Sequence, residues 1–148
     1  MGIHSCGAEV DTNAIPISQQ PPFRYVDDLL SLDRNARQAE LRLSLHSGQH
    51  RWSGTEALPS FLLIEAMAQA AGVLLRKITS GEPSGYLVGI ENALLPAEVC
   101  FPAELDIQAR LVKTAPPFFT LDVQVGLADE ASALAHAKLQ IMTKRRLT

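Results

Sequence analysis

The chain has 148 residues, 47% of them apolar, with 13 Lys and Arg against 16 Asp and Glu for a formal net charge of −3. Such a chain makes one domain of ordinary size with a substantial core, and its small, scattered positive charge argues against nucleic acid as a partner. Cys6 and Cys100 show no Cys-x-x-Cys spacing and no pairing with histidine at metal-ligand intervals, so both read as free thiols in a reducing compartment, with neither metal nor cofactor expected.

Residues 1–20 mix Gly, Asn, Ser, Gln and Pro without a period and read as a poorly ordered arm; residues 21–148 read as a single domain. The N-terminus lacks the basic segment and long apolar run of a signal peptide. The expectation is therefore a cytoplasmic protein that does not enter membranes. Order is expected from near Phe23, with a strand-like segment 24–33 and a turn at Asp33-Arg34-Asn35. Ala39, Leu41, Leu43 and Leu45 then alternate with Glu40, Arg42 and Ser44, the two-residue period of a strand with one buried face. His46 to Glu56 is a polar, glycine-punctuated loop that holds His50, Arg51 and Trp52.

That loop runs into Leu58-Pro59-Ser60-Phe61-Leu62-Leu63-Ile64-Glu65-Ala66-Met67-Ala68-Gln69-Ala70-Ala71-Gly72. From Phe61 to Leu75 the only non-apolar residues besides glycine are Glu65 and Gln69, which predicts a helix buried around most of its circumference. The run is too short to span a bilayer, and it carries Glu65. Pro59 suits a first helical turn and Ser60 a side-chain cap, so the predicted helix covers 59–78; Arg76 and Lys77 complement its C-terminal dipole before Thr79-Ser80-Gly81 ends it.

Four strand-like stretches follow: Tyr86 to Leu95, an alternation at Leu105, Ile107, Ala109 and Leu111, another from Phe119 to Leu127, and a last from Ala133 to Met142. Two strands, one long helix and four strands give an α+β order with mainly antiparallel pairing. A single long helix is buried most economically by a sheet curled around it, which is the hot-dog architecture.

The stretch 58–72 resembles the Met-Pro-Gly-hydrophobic-Leu-Ile-hydrophobic-Glu-Ala-Met-Ala-Gln-Ala-Ala-Gly segment of the hot-dog β-hydroxyacyl-(acyl carrier protein) dehydratases. Pro22-Phe23-Arg24-Tyr25-Val26-Asp27 is similar to the Pro-Phe-Leu-Leu-Val-Asp opening strand of that family. Looser matches at 85–93, at Phe101-Pro102 and in the closing strands extend the likeness over roughly 21–145. The resemblance implies a dimer joined edge to edge, with acyl-pantetheine tunnels at the interface and a histidine of one subunit facing the helix Glu of the other. It implies an acyl carrier protein or coenzyme A thioester as substrate, in fatty acid or polyketide-type biosynthesis. Elimination of water from such a thioester needs a base, an acid, and N–H donors for the thioester oxygen. By position these fall to Glu65 and to the Ser60 backbone N–H.

The family's Gly-His-Phe-Pro-Gly loop, counted back from Pro59 without a gap, puts Arg51 on its histidine and Trp52 on its phenylalanine, with His50 one residue early. A one-residue bulge brings His50 to the histidine position and preserves an acid/base pair with Glu65. Otherwise Arg51, which stays protonated and cannot act as a base, faces Glu65. The chain is then a thioester-binding or hydrolysing protein, or an auxiliary subunit of a heterodimer whose partner supplies the histidine. Gln69 lies one turn from Glu65 and can hydrogen-bond it, and Trp52 and Phe61 are candidates to line an acyl tunnel. The terminal Lys144-Arg145-Arg146 reads as a solvated end, with an acidic carrier surface as a weaker alternative.

Overall fold

The computed structural model describes residues 26–45, 57–79, 85–100 and 102–143. The elements run β1 (Asp28–Asp33), β2 (Gln38–Leu45), β3 (Ala57–Pro59), α1 (Phe61–Thr79), β4 (Gly85–Leu94), β5 (Glu98–Cys100), β6 (Ala103–Ala115), β7 (Phe118–Leu127) and β8 (Ala133–Thr143). Six strands form one antiparallel sheet in the order β1-β2-β6-β7-β8-β4, and β3 pairs with β5 in a separate two-stranded sheet. The large sheet wraps around α1, as a hot-dog fold requires. The N-terminal arm expected over 1–20 lies outside the described residues.

The two-residue period decides which face each strand buries. Leu41, Leu43 and Leu45 on β2 stand opposite Ile107, Leu105 and Ala103 on β6, and the row continues through Val125 on β7. α1 packs chiefly against β6 and also touches β2, β3 and β7. It places Leu63, Met67, Ala70 and Leu74 in the core with no exposed surface. The outer face of the sheet carries cross-strand pairs instead. Arg42 bonds Asp106 at 2.9 Å and Arg110 bonds Asp122 at 3.2 Å. The Asp106 hydrogen bond, opposed by partial burial and aided by nearby carboxylates, raises the Arg42 pKa above its already high ordinary value.

Two expectations change. Pro59 ends strand β3, and Ser60 is a turn before a helix that begins at Phe61. A proline with no N–H fits the end of a short edge strand as well as it fits a helix start. The Ser60 backbone carbonyl accepts the Leu63 N–H at 2.9 Å, so the backbone closes the first turn. Two short strands, β3 and β5, add to the six expected, being too brief for alternation to show. Cys100 is a free thiol, exposed on β5.

The two edges of the large sheet differ. β1 carries aspartates at both ends and a register shift between Leu29 and Ser31, features that protect an edge from further pairing. β4 is ten residues long with Glu91 its single charge, and Tyr86, Leu87, Val88, Ile90 and Leu94 are all exposed.

Candidate active site

Among the described residues, the helix is not covered on every side. Phe61 is 66% exposed and Glu65 is exposed, while Ile64, Ala68 and Gly72 are half-buried. Steps of three and four residues place these on one stripe that starts in the first turn and runs down the helix. Glu65 therefore solves its burial problem by lying on the open stripe. A Cβ built on Gly72 meets no heavy atom of the described residues within 4 Å, so among them the stripe is open there too.

Gln69 sits beside this stripe and is only 5% exposed. Its Nε2 donates to Glu65 Oε1 at 3.1 Å across one helical turn, the bond that the i,i+4 spacing allows. The carboxylate is held from the protein side and open on the other. Its helix start adds a partial positive charge and unpaired first-turn N–H groups, of which the Leu63 N–H is already taken by the Ser60 carbonyl. β3 and β5 fix that start, with Leu58 buried opposite Val99.

Four of the seven expected site residues, Ser60, Phe61, Glu65 and Gln69, thus gather at the beginning of α1. His50, Arg51 and Trp52 lie outside the described residues. The open stripe at Ile64, Ala68 and Gly72 and the two-sided exposure of β4 were not anticipated. The small residues at 68 and 72 in register with Glu65 were the available signal for the stripe. His136 is exposed on β8, on the outer face and away from α1, as its alternation with Ala135 and Ala137 implies. Among the described residues no group of three or more His, Cys, Asp or Glu stands close enough to hold a metal ion, and no described helix is long and apolar enough to cross a membrane.

No family model matches the chain. An uncharacterized thioester dehydrase of Halalkalibacterium halodurans is 31% identical over 127 residues, 82% of this chain and 80% of that protein. A 3-hydroxyacyl-(acyl-carrier-protein) dehydratase FabZ of Verminephrobacter eiseniae is 33% identical over 94 residues, 57% of this chain and 62% of that one. Among solved structures, the dehydratase heterocomplex ApeI:P of Xenorhabdus doucetiae superposes with a TM-score of 0.75 at 18% identity, covering 89% of this chain and 90% of that chain. A hypothetical thioesterase of Streptococcus pneumoniae, solved with coenzyme A, gives 0.63 at 9% identity, covering 81% and 87%. The two structures share the fold. The chain has the hot-dog fold and belongs to the thioester dehydrase family, related to FabZ-type dehydratases at moderate identity.

Proposed function

We propose that the protein is a 3-hydroxyacyl-thioester dehydratase acting on acyl carrier protein or coenzyme A thioesters, with Glu65 in its acid/base pair. One observation carries this reading: a buried helix turns a single carboxylate outward in its second turn, beside the positive end of its own dipole. In the reaction a base removes the α-proton, the electron pair moves toward the thioester carbonyl, and the bond from Cβ to the hydroxyl breaks as an acid protonates the leaving oxygen. Glu65 and His50 share the two proton transfers. The Ser60 N–H and the helix start stabilise charge on the thioester oxygen, and Phe61 and Trp52 flank the acyl chain. Gln69 fixes the Glu65 rotamer.

The exposed apolar edge of β4 supports assembly with a second hot-dog subunit, in which Glu65 and the open stripe would meet a neighbouring chain. That subunit is a second copy in the primary reading. The chain's likeness to a dehydratase heterocomplex, together with Arg51 at the ungapped histidine position, favours one second reading, an auxiliary subunit completed by a different hot-dog chain. Hydrolysis is the third outcome, since a carboxylate that activates water needs only the same helix donors.

Turnover of a 3-hydroxyacyl carrier protein by the purified chain, with Glu65→Gln and His50→Ala alongside, decides between them. Enoyl product lost in both variants supports the dehydratase. Free thiol identifies a thioesterase, and wild-type inactivity restored by a second hot-dog chain identifies the auxiliary subunit.

A further inference from the structure

β4 falls out of register with β8 twice. One shift lies between Leu87 and Gly89, the other between Glu91 and Leu94, where Asn92 takes a φ of 52°. Each such bulge bends an edge strand and interrupts its regular pairing. Two stretches stay in step: Gly85 to Leu87 with Thr143 to Ile141, and Gly89 to Glu91 with Gln140 to Lys138. In the second, Ile90 shares the helix side of the sheet with the buried Leu139, while Gly89 and Glu91 point to the outer face.

Two-fold symmetry restricts how this edge can join a copy of itself. Residues opposite one another in an antiparallel pair point to the same face, and an axis normal to the sheet keeps helix side on helix side. One residue must therefore stand opposite its own copy. Centring on Tyr86, in the first stretch, leaves most of each β4 beyond the end of the other. Centring on Glu91 sets like charges face to face, and centring on Gly89 draws in the bulge at Val88. Centring on Ile90 overlaps β4 along nearly its whole length and keeps the middle of the joint inside a regular stretch. Ile90 then meets its own copy on the helix side, and each Glu91 stands opposite the neighbour's Gly89.

That last pairing has a prepared place. A Cβ built on Gly89 would lie 3.1 Å from Gln140 Oε1 and 3.4 Å from Gln140 Cβ, so the Gln140 side chain lies across the glycine. Neither Gln140 nor Glu91 makes a side-chain hydrogen bond or ion pair among the described residues, although Lys138 stands beside Glu91 in register. We propose that β4 joins a second copy of this chain in the Ile90-centred register, each Glu91 carboxylate reaching over the neighbour's Gly89 to accept a hydrogen bond from its Gln140 amide. Two strand spacings of about 4.8 Å separate the two backbones, a gap that two long side chains close when no side chain stands between them. The proposal rests on the β4 assembly above and names what makes that edge select its own copy. A different hot-dog chain satisfies both contacts only by leaving space opposite Glu91 and supplying an acceptor to Gln140.

The test is thiol bridging by dibromobimane in full-length chains whose Cys6 and Cys100 are replaced by serine. In chains that sediment at the mass of two, Ile90→Cys should be bridged into a covalent dimer. Leu87→Cys and Glu91→Cys, each displaced along the strand from its own copy, should be bridged at least about tenfold more slowly. A double-mutant cycle in the dimer dissociation constant leaves Ile90 untouched. Glu91→Ala and Gln140→Ala should each weaken the dimer about tenfold, and the two together hardly more than either, because each removes the same bond. Urea unfolding of dilute, dissociated chains should show no such coupling. Faster bridging at Glu91→Cys than at Ile90→Cys, additive losses in the cycle, or equal coupling in dissociated chains would overturn the proposal. A wild type that sediments as one chain would remove the β4 assembly itself and the proposal with it, while turnover of the thioester tests the dehydratase reading separately.

Discussion

Gln69 and Glu65 form a hydrogen bond of 3.1 Å in which the donor is buried and the acceptor is exposed, so the core holds one side of a carboxylate whose other side faces out. An amide locked by packing has little rotamer freedom, and what it bonds is oriented with it. If Glu65 takes part in proton transfer, Glu65→Gln should lower dehydration at least about 100-fold, the ordinary contribution of a positioned acid or base. Gln69→Leu keeps the bulk and removes the donor. A lost hydrogen bond of about 1 kcal/mol predicts a decrease of roughly fivefold, with the protein still folded. Steady-state rates on one thioester check both, and a Glu65→Gln enzyme of wild-type rate would remove Glu65 from the reaction.

β4 makes the proposed assembly testable without any substrate. Its Val88 and Ile90 are 48% and 45% exposed, on a strand whose only charge is Glu91. A lysine at either position places an unpaired cation in a pairing edge, the device by which monomeric proteins block such edges. Val88→Lys and Ile90→Lys should sediment at the mass of one chain where the wild type sediments at two, with unchanged far-ultraviolet circular dichroism. A wild type that sediments as one chain, or variants that keep the larger mass, would show that β4 is not the joining edge.

These two features mark where the sequence was legible and where it was not. Leu41, Leu43 and Leu45 announced their strand because one face is core and the other solvent, and a period of two follows from that. Tyr86, Leu87, Val88 and Ile90 also announced a strand. Consecutive apolar residues, however, read the same whether the covering surface belongs to this chain or to another. The open stripe of α1 was hidden for a similar reason. Ile64, Ala68 and Gly72 look like core in a helix that is apolar on nearly every side, and only the placement of the sheet shows which side it leaves uncovered. Ala57-Leu58-Pro59 is too short for a period to show and needed its partner β5 to become a strand. Near the site, the apolar run singled out Glu65 and Gln69 as its two polar residues and helical spacing put them one turn apart, whereas a site role for Glu65 came from the resemblance. The irregular loop of His50 and Arg51 has no such period.

The core itself predicts a steep contrast between two leucines. Leu74 has no exposed surface and packs under the sheet, whereas Leu94 is 65% exposed at the end of β4. Leu74→Ala should destabilise the chain by about 2–5 kcal/mol through lost transfer energy and the cavity left behind. Leu94→Ala should stay within about 0.5 kcal/mol when assembly is prevented by the Val88→Lys background. Urea unfolding midpoints at equal m-values measure both, and a Leu74→Ala loss below about 1 kcal/mol would mean that α1 is not seated as described.

Gly72 separates what the chain does alone from what it does when covered. A mid-helix glycine costs about 0.5–1 kcal/mol relative to alanine, and a Cβ here meets nothing within 4 Å among the described residues. In the Val88→Lys background, Gly72→Ala should therefore raise stability by about that amount. If the wild type assembles through β4 as proposed, the added methyl group lies on the stripe that continues from Glu65. Contact with a neighbouring chain there would reduce or reverse the gain, and contact with an acyl chain would leave stability raised but increase KM for longer acyl groups. Thermal unfolding in both backgrounds, with KM measured across a series of chain lengths, tells these apart. Destabilisation in the unassembled background would contradict the open stripe itself.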